Sequence, residues 1–328
     1  MLRIVISIVA SFVVTALAGR WLIPVLRRMK AGQSIKEIGP TWHMTKQGTP
    51  TMGGLMFIFG TAVMVAALSW PDFENGILGG AFVFLFALVF GIIGYIDDYM
   101  KVKHHQNTGL TAPQKFLLQL AAAVLFTILL RNFGYLTPDL YIPFVHVTFP
   151  VPWPLYMIFA AFVMVGCVNA VNITDGIDGL AAGVTVPVMI FFTAVAVLWE
   201  HYELGIFSGA LLGGLLAFLI YNFHPAKVFM GDTGSLFLGG AVCGLAFGLD
   251  IPLVLILVGI IYIAETLSDI IQVGYFKLTH GKRIFRMAPL HHHLEMGGWS
   301  EVKLVTVFTG ITLLACLVAF WGVMGRWA

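Results

Sequence analysis

Charged residues are scarce in this chain, and that scarcity excludes a soluble fold. Only 10% of the 328 residues are Asp, Glu, Lys or Arg, whereas 59% are hydrophobic. A soluble domain carries about 25% charged residues, and this composition does not supply enough polar side chains to cover a water-exposed surface. The sequence therefore predicts an integral membrane protein.

Cysteines and polar linkers are equally scarce. The three cysteines, Cys167, Cys243 and Cys316, lie within apolar runs without CxxC spacing, which predicts small buried side chains and argues against a disulfide framework or a zinc site. The apolar runs lack the alternation of transmembrane strands, so they favour helices. Because no soluble domain or low-complexity linker interrupts them, residues 1–328 are expected to form a single membrane domain.

The apolar runs have the length that membrane helices need. A helix requires about 20 apolar residues to cross the hydrocarbon core, and the chain contains ten candidates. They cover residues 4–26, 52–70, 77–96, 115–132, 154–172, 180–199, 205–222, 234–249, 251–273 and 303–325. The predicted fold class is an all-α polytopic membrane protein with about ten transmembrane helices. At about 1.5 Å per residue, a straight ninth helix starting at Asp250 places Glu265 roughly 22 Å along its length.

The basic residues indicate the orientation of these helices. Most of the 18 Lys and Arg residues fall in four of the five loops that lie on one side of a ten-helix topology. These residues are Arg27, Arg28, Lys30, Lys36, Lys46, Lys101, Lys103, Lys115, Lys227, Lys277, Lys282, Arg283, Arg286 and Lys303. The positive-inside rule places those loops in the cytoplasm and both termini outside. On the outer side, alternating residues near 135–150 predict a small β-hairpin.

Five carboxylates lie at the ends of apolar runs on the predicted inner side: Asp97, Asp98, Asp175, Asp178 and Asp232. The adjacent pair at 97 and 98 favours a cation, because like charges repel. The two Asp-Gly steps at 175 and 178 can reverse the chain and aim carboxylates and backbone N–H groups into one pocket. The competing interpretations are an interfacial ion pair and ordinary turn chemistry.

The segment from Asn222 to Ser235 has the features of a phosphate-binding loop. Glycines on both sides of Asp232 allow a ligand to approach closely, and the helix that follows favours an anion at its start. Phe229 could stack on a nucleobase. Alternatively, Asp232 is a helix N-cap and Phe229 a membrane anchor.

Two further segments carry polar side chains suited to a diphosphate. Three histidines are consecutive, at positions His291, His292 and His293, whereas helical zinc sites usually space their histidines by four residues. We therefore interpret them as hydrogen-bond donors to phosphate beside the neighbouring lysines. The alternative is a plain surface cluster. The segment from Lys46 to Gly54 supplies a lysine, two hydroxyls and a glycine pair before the second helix.

Together these five segments resemble the polyprenyl-phosphate N-acetylhexosamine-1-phosphate transferases, and the resemblance extends over the whole chain. Asp97-Asp98, the segment 172–180 and the Asp232 loop are similar to motifs of the whole superfamily. The segments 46–54 and 287–295 resemble its muramoyl-pentapeptide branch. The resemblance implies that undecaprenyl phosphate attacks UDP-N-acetylmuramoyl-pentapeptide at the cytoplasmic face of the bacterial inner membrane, giving lipid I and UMP. It also implies Mg²⁺ as cofactor, ten helices, outward termini and a homodimer, without a nucleic-acid partner.

The resemblance also implies roles for individual residues. Asp232 matches the magnesium ligand, Asp97 a proposed base or lipid-phosphate partner, and Asp98 its acidic neighbour; His291 is grouped with these catalytic residues. The remaining matches are implied contacts to the nucleotide, the pyrophosphate or the rest of the substrate. They are Lys46, Thr51, Asn172, Asp175, Asp178, Asn222, Phe229, Gln272, His292 and His293.

Two other functions compete with this interpretation. A sister transferase that uses UDP-N-acetylglucosamine would share the superfamily motifs, so the first and last inner loops discriminate against it. An ion-coupled transporter would place its carboxylates near the middle of the bilayer on broken helices, whereas the acids of this chain gather toward one interface.

Overall fold

The computed structural model describes residues 1–29, 46, 48–104 and 108–325. Lys30 and Lys36, which enter the charge distribution above, lie outside the described residues. The described helices and strands follow in chain order. They are α1 Leu2–Arg28, α2 Leu55–Leu68, α3 Trp70–Glu74, α4 Gly79–His104, α5 Ala112–Asn132, β1 Asp139–Ile142, β2 Val147–Pro150, α6 Trp153–Thr174, α7 Leu180–Leu198, α8 Tyr202–Asn222, α9 Gly231–Gly248, α10 Leu255–Val258, α11 Ile260–Leu278, α12 Leu290–Glu295 and α13 Glu301–Met324.

The described part of the chain is a polytopic helical bundle. Seven of its helices are long and apolar enough to cross a membrane, or eight if the bent pair around Gly259 forms one span. This confirms the predicted class of membrane protein. Helix α2 has only 14 residues and α9 is glycine-rich, so the count of ten and the outward position of the termini stay predictions.

The burial of the helices separates an inner set from an outer set. In the apolar windows of α7 and α8, 78% of residues are buried, whereas the corresponding value is 28% in α1 and α5. Every residue of α9 from Thr233 to Gly248 is buried, and α4 packs along it. The exposed apolar side chains of the outer helices are those that a lipid environment would cover.

The lengths of two predicted helices need correction. Helix α4 continues to His104, beyond the predicted limit at residue 96, so Asp97 and Asp98 are helical residues. The ninth span is not straight, because α10 ends at Val258 and α11, after Gly259, leaves at an angle of 80° to the preceding segment. The straight-line estimate for the position of Glu265 was therefore wrong.

A two-stranded antiparallel hairpin is present within the region 135–150. Asp139 pairs with Pro150 and Ile142 with Val147. The tip of the hairpin packs on the last turn of α13, where the Phe144 N–H donates to the Gly322 carbonyl at 2.9 Å. The location of this hairpin on the outer surface stays a prediction.

Candidate active site

Three carboxylates from two helices meet at one end of the bundle. Oxygen atoms of Asp97 and Asp98 on α4 and of Asp232 on α9 all lie within 4.8 Å of one another. Asp97 and Asp98 are 3% and 4% exposed, so their charges are held largely out of water. Such a cluster requires positive charge or hydrogen-bond donors close by.

Asp98 is bonded to the start of α9. One of its oxygens accepts from the Asp232 N–H at 3.2 Å, and the other accepts from the Thr233 N–H at 2.9 Å and the Thr233 hydroxyl at 2.7 Å. The first N–H groups of a helix lack partners within the helix and carry partial positive charge. Asp98 satisfies them from a neighbouring helix and thereby fixes the position of Asp232.

Asp232 itself is surrounded by donors. The Asn172 amide donates to one oxygen at 2.8 Å, and the ammonium groups of Lys101 and Lys115 each lie 3.0 Å from the other oxygen. Lys101 also pairs with Asp97 on the preceding turn of α4, since residues four apart on a helix are neighbours. Polar side chains from α4, α5, α6 and α9 therefore share one cluster.

Two glycines make this close packing possible. A Cβ atom on Gly94 of α4 would lie 2.1 Å from the Asp232 carbonyl oxygen, so only glycine lets the two backbones approach. Gly231 has a φ of +71°, a conformation that other residues rarely adopt. A Cβ atom there would also lie 2.5 Å from an Asp98 oxygen and 2.6 Å from the Thr51 hydroxyl.

A second polar cluster surrounds Asp178. One Asp178 oxygen accepts from the Lys46 ammonium at 2.7 Å, and the other accepts from the Ala226 N–H at 2.9 Å and the His224 ring at 3.0 Å. Glu301, in the first turn of α13, lies 2.6 Å from the same Lys46 ammonium. Asp178 therefore belongs to this cluster and not to the three-carboxylate cluster.

Asp175 lies in the turn after α6, between the two clusters. Burial raises the pKa of its carboxyl well above the usual range, and the charges of Asp232, Asp98 and Asp178 raise it further. The three charges that act on Asp175 are all negative and come from both clusters. A cation bound nearby would lower its pKa.

The segment that follows Lys46 and the segment 222–235 are joined by backbone hydrogen bonds. The Phe229 N–H donates to the Pro50 carbonyl at 2.8 Å, and the Gly53 N–H donates to the Phe229 carbonyl at 2.8 Å. Asn222 is buried and connects the segment 172–180 to the segment 222–235, because it accepts from the Gly179 N–H at 3.1 Å and donates to the Val228 carbonyl at 2.9 Å. The partly buried Phe229 ring is thereby fixed beside both loops.

The histidines are less uniform than their sequence suggests. His291 is fully buried, and its Nδ1 donates to Glu265 at 3.0 Å. A Cβ atom on Gly176 would lie 2.2 Å from His291 Nε2, so this ring packs on the Asp175 turn. His292 pairs with Glu295 at 2.8 Å, and His293 accepts from the Arg286 N–H at 3.1 Å.

Gln272 organises the basic loop in front of the histidines. Its amide oxygen accepts from the N–H groups of Ile284 and Phe285 at 3.1 and 3.0 Å. The described contacts of Gln272 therefore hold the backbone of this loop in place, and a direct contact between Gln272 and a nucleotide stays a prediction.

Five polar residues of the site were not among the candidates from sequence: Lys101, Lys115, His224, Glu265 and Glu301. His224 lies within the segment 222–235 but was not itself selected, and the partners of the other four are distant in sequence or carry no motif of their own. The available signal was that few charged residues are present at all. In a chain with 10% charged residues, each charge near the inner end of a helix merits assignment to the site.

Comparison with known proteins agrees with this geometry. The family model described as glycosyl transferase family 4 matches residues 81–250, which include the three-carboxylate cluster. A phospho-N-acetylmuramoyl-pentapeptide-transferase signature matches residues 46–58, the segment that begins at Lys46.

Curated relatives match over nearly the whole chain, and each carries the name phospho-N-acetylmuramoyl-pentapeptide-transferase. The protein from Clostridium acetobutylicum is 50% identical over 97% of this chain and 98% of its own length. Those from Clostridium perfringens strain 13 and Caldanaerobacter subterraneus are 47% and 44% identical, again over 97% of this chain and 98% of their own lengths. The chain therefore belongs to glycosyl transferase family 4 and, within it, to the phospho-N-acetylmuramoyl-pentapeptide-transferases.

Proposed function

We propose that the chain transfers phospho-N-acetylmuramoyl-pentapeptide from its UDP-activated form to undecaprenyl phosphate, giving lipid I and UMP for peptidoglycan synthesis. The observation that carries this proposal is the three-carboxylate cluster formed by Asp97, Asp98 and Asp232. It lies where the motif loops of a membrane-embedded chain meet. The family membership supplies the substrates.

The donor set of this cluster fits Mg²⁺. Carboxylate oxygens are the hard ligands that this ion prefers, and it is usually held by one or two protein carboxylates. We infer that Asp232 is its principal ligand, with Asp97 and Asp98 close by. When bound, Mg²⁺ would neutralise negative charge on the diphosphate and on the departing UMP.

The chain's own cations and amides would position the reacting phosphates. Lys101 and Lys115 bring ammonium groups to the Asp232 carboxylate, where they are also within reach of a phosphate bound there. Phosphoryl transfer depends mainly on such positioning and charge stabilisation. We assign Asn172 and Asp175 to the same pocket wall, and Phe229 to the uracil ring of the nucleotide.

Asp97 is proposed to position the lipid phosphate more than to remove a proton from it. The second pKa of a phosphomonoester is about 6, so the attacking group is already largely dianionic at pH 7. We therefore propose direct attack in one step. Incubation with the UDP-linked substrate without the lipid should leave every aspartate unmodified, and a trapped phosphoaspartate would establish a two-step route.

We propose that the site faces the cytoplasm of a bacterial inner membrane, because the basic loops lie at this end of the chain's helices. The homodimer is proposed from the family resemblance alone. Cysteine labelling from either side of spheroplasts tests the orientation: Thr49→Cys, in the first inner loop, should react only after the membrane is permeabilised. Reaction with an impermeant reagent in intact spheroplasts would place the site outside.

The substrate is tested with purified protein and undecaprenyl phosphate. UDP-N-acetylmuramoyl-pentapeptide and UDP-N-acetylglucosamine are supplied separately, and UMP release is measured. Release from the first substrate alone is expected. UMP release from UDP-N-acetylglucosamine would identify the sister transferase. Uptake of substrate into proteoliposomes without UMP release would instead support the transporter interpretation.

A further inference from the structure

Glu301 is a buried acid whose contacts join two loops of the site. It lies in the first turn of α13, after Ser300, whose hydroxyl accepts from the Lys303 N–H at 3.3 Å. One of its oxygens, Oε2, accepts from the Lys46 ammonium at 2.6 Å and from the Asp178 N–H at 2.9 Å. A single oxygen atom therefore binds the first inner loop and the turn that precedes α7.

Burial makes these contacts energetically important. The side chains of Lys46, Asp178 and Glu301 are 14%, 2% and 8% exposed. A buried ammonium requires a counter-charge, and hydrogen bonds between charged groups are the strong ones in such surroundings. The start of a helix also favours a negative charge, and Glu301 lies in the first turn of α13.

The position of Lys46 bears on the rest of the site through the backbone. From Lys46 the chain leads within a few residues to Pro50 and Gly53, which form the hydrogen bonds to Phe229. Asp178 holds the same segment three residues before Phe229, through the Ala226 N–H. Movement of Lys46 and Asp178 would therefore be transmitted to the segment that carries the aromatic ring.

We propose that Glu301 is a positioning residue for Lys46 and the Asp178 turn, and that it thereby sets the affinity for the uridine nucleotide. This inference rests on the proposed function, because it assigns the UDP-linked substrate to the pocket beside Phe229. Glu301 itself acts through Lys46 and Asp178 and has no part in phosphoryl transfer.

The test is Glu301→Gln, which keeps the shape and removes the charge. The loss of one charge-assisted hydrogen bond weakens an interaction by about tenfold or more, so KM for the UDP-linked substrate should rise by about that factor. The kcat, and KM for undecaprenyl phosphate, should stay within about threefold. Glu200→Gln removes a carboxylate from the α7–α8 connection at the other end of the bundle and should leave kcat and both KM values unchanged.

A double-mutant cycle separates positioning from an independent effect. If Glu301 acts in part through Lys46, then Glu301→Gln should raise KM by a smaller factor in a Lys46→Met background than in the wild-type protein, because only the contact to the Asp178 turn is then left to lose. Multiplication of the two single effects would overturn the proposal, as would a fall in kcat with unchanged KM.

Hydrogen–deuterium exchange supplies a readout that does not depend on turnover. Glu301→Gln should speed amide exchange in residues 48–54 and 176–180 and leave the exchange rate of residues 97–101 unchanged. The same change in rate in all three segments, or no change in any of them, would overturn the proposal. A wild-type protein that releases no UMP would refute the proposed function, while the exchange comparison would still decide whether Glu301 positions these loops.

Discussion

Gly94 offers the sharpest test of how α4 and α9 form the site. A methyl group at this position would lie 2.1 Å from the Asp232 carbonyl oxygen, 2.4 Å from its carbonyl carbon and 2.7 Å from the Thr233 nitrogen. All three atoms are backbone and cannot rotate away. Ordinary contact begins at 3.4 Å, so Gly94→Ala must open the interface by about 1.3 Å, the difference between 3.4 and 2.1 Å.

An opening of this size would break the bonds that fix Asp232. The hydrogen bonds that Asp98 accepts from the start of α9 are 2.7 to 3.2 Å long. An opening of about 1.3 Å would lengthen them beyond the range of a hydrogen bond. Misplacement of a catalytic group by about 1 Å can cost roughly 100-fold in rate. Overpacking also destabilises a core by about 1 to 3 kcal/mol.

We therefore expect Gly94→Ala to lower UMP release by about 100-fold and to lower the apparent Tm in detergent. The matched control is Gly91→Ala, one turn earlier on the same helix. Its new methyl group would meet the Phe237 side chain at 3.3 Å, and this side chain needs to shift by only a few tenths of an ångström. Near-normal turnover is therefore expected. Wild-type turnover and Tm in Gly94→Ala would refute the described packing of α4 on α9.

Three further predictions concern the polar groups of the site. Asp232→Asn and Asp97→Asn should each lower the rate of UMP release at saturating substrates by 100-fold or more, the scale for loss of one electrostatic stabiliser; near-normal turnover would remove that residue from the site. Removal of divalent cations with a chelator should abolish UMP release, and added Mg²⁺ should restore it, whereas activity that persists in chelator would contradict the assigned cofactor. Glu265→Leu leaves the buried His291 N–H groups without their acceptor, which costs about 1 to 3 kcal/mol for each group. The apparent Tm of Glu265→Leu should therefore lie below that of Glu265→Gln, and equal Tm values would show that the Glu265–His291 pair contributes little to stability.

The sequence predicted the parts of the site that are encoded locally. The Asp97-Asp98 pair, the Asp-Gly turn and the glycine-flanked Asp232 each combine chemistry and chain geometry within a few residues. Because all three follow or precede an apolar run, their meeting at one end of the bundle could also be expected. The apolar runs likewise revealed the helical membrane class.

Other features depend on distant contacts and left no local pattern. Glu301 bonds to Lys46 across 255 positions of sequence, and Lys115 bonds to Asp232 across 117, so neither partner could be assigned from spacing. The bend at Gly259 was also missed, since the surrounding residues are as apolar as a straight span requires. His291 is buried, and its partner Glu265 lies on a different helix 26 positions earlier, so this pairing also left no local pattern.

Iron-directed backbone cleavage measures the central claim most directly. Fe²⁺ bound in place of Mg²⁺ produces, with ascorbate and peroxide, radicals that cut only the chain nearest to the ion. The account predicts cuts beside Asp97 and beside Asp232 in the same molecules, competed by Mg²⁺ and abolished in Asp232→Asn. Cuts confined to other segments, or cuts at these two that persist in Asp232→Asn, would contradict a divalent cation site built from α4 and α9.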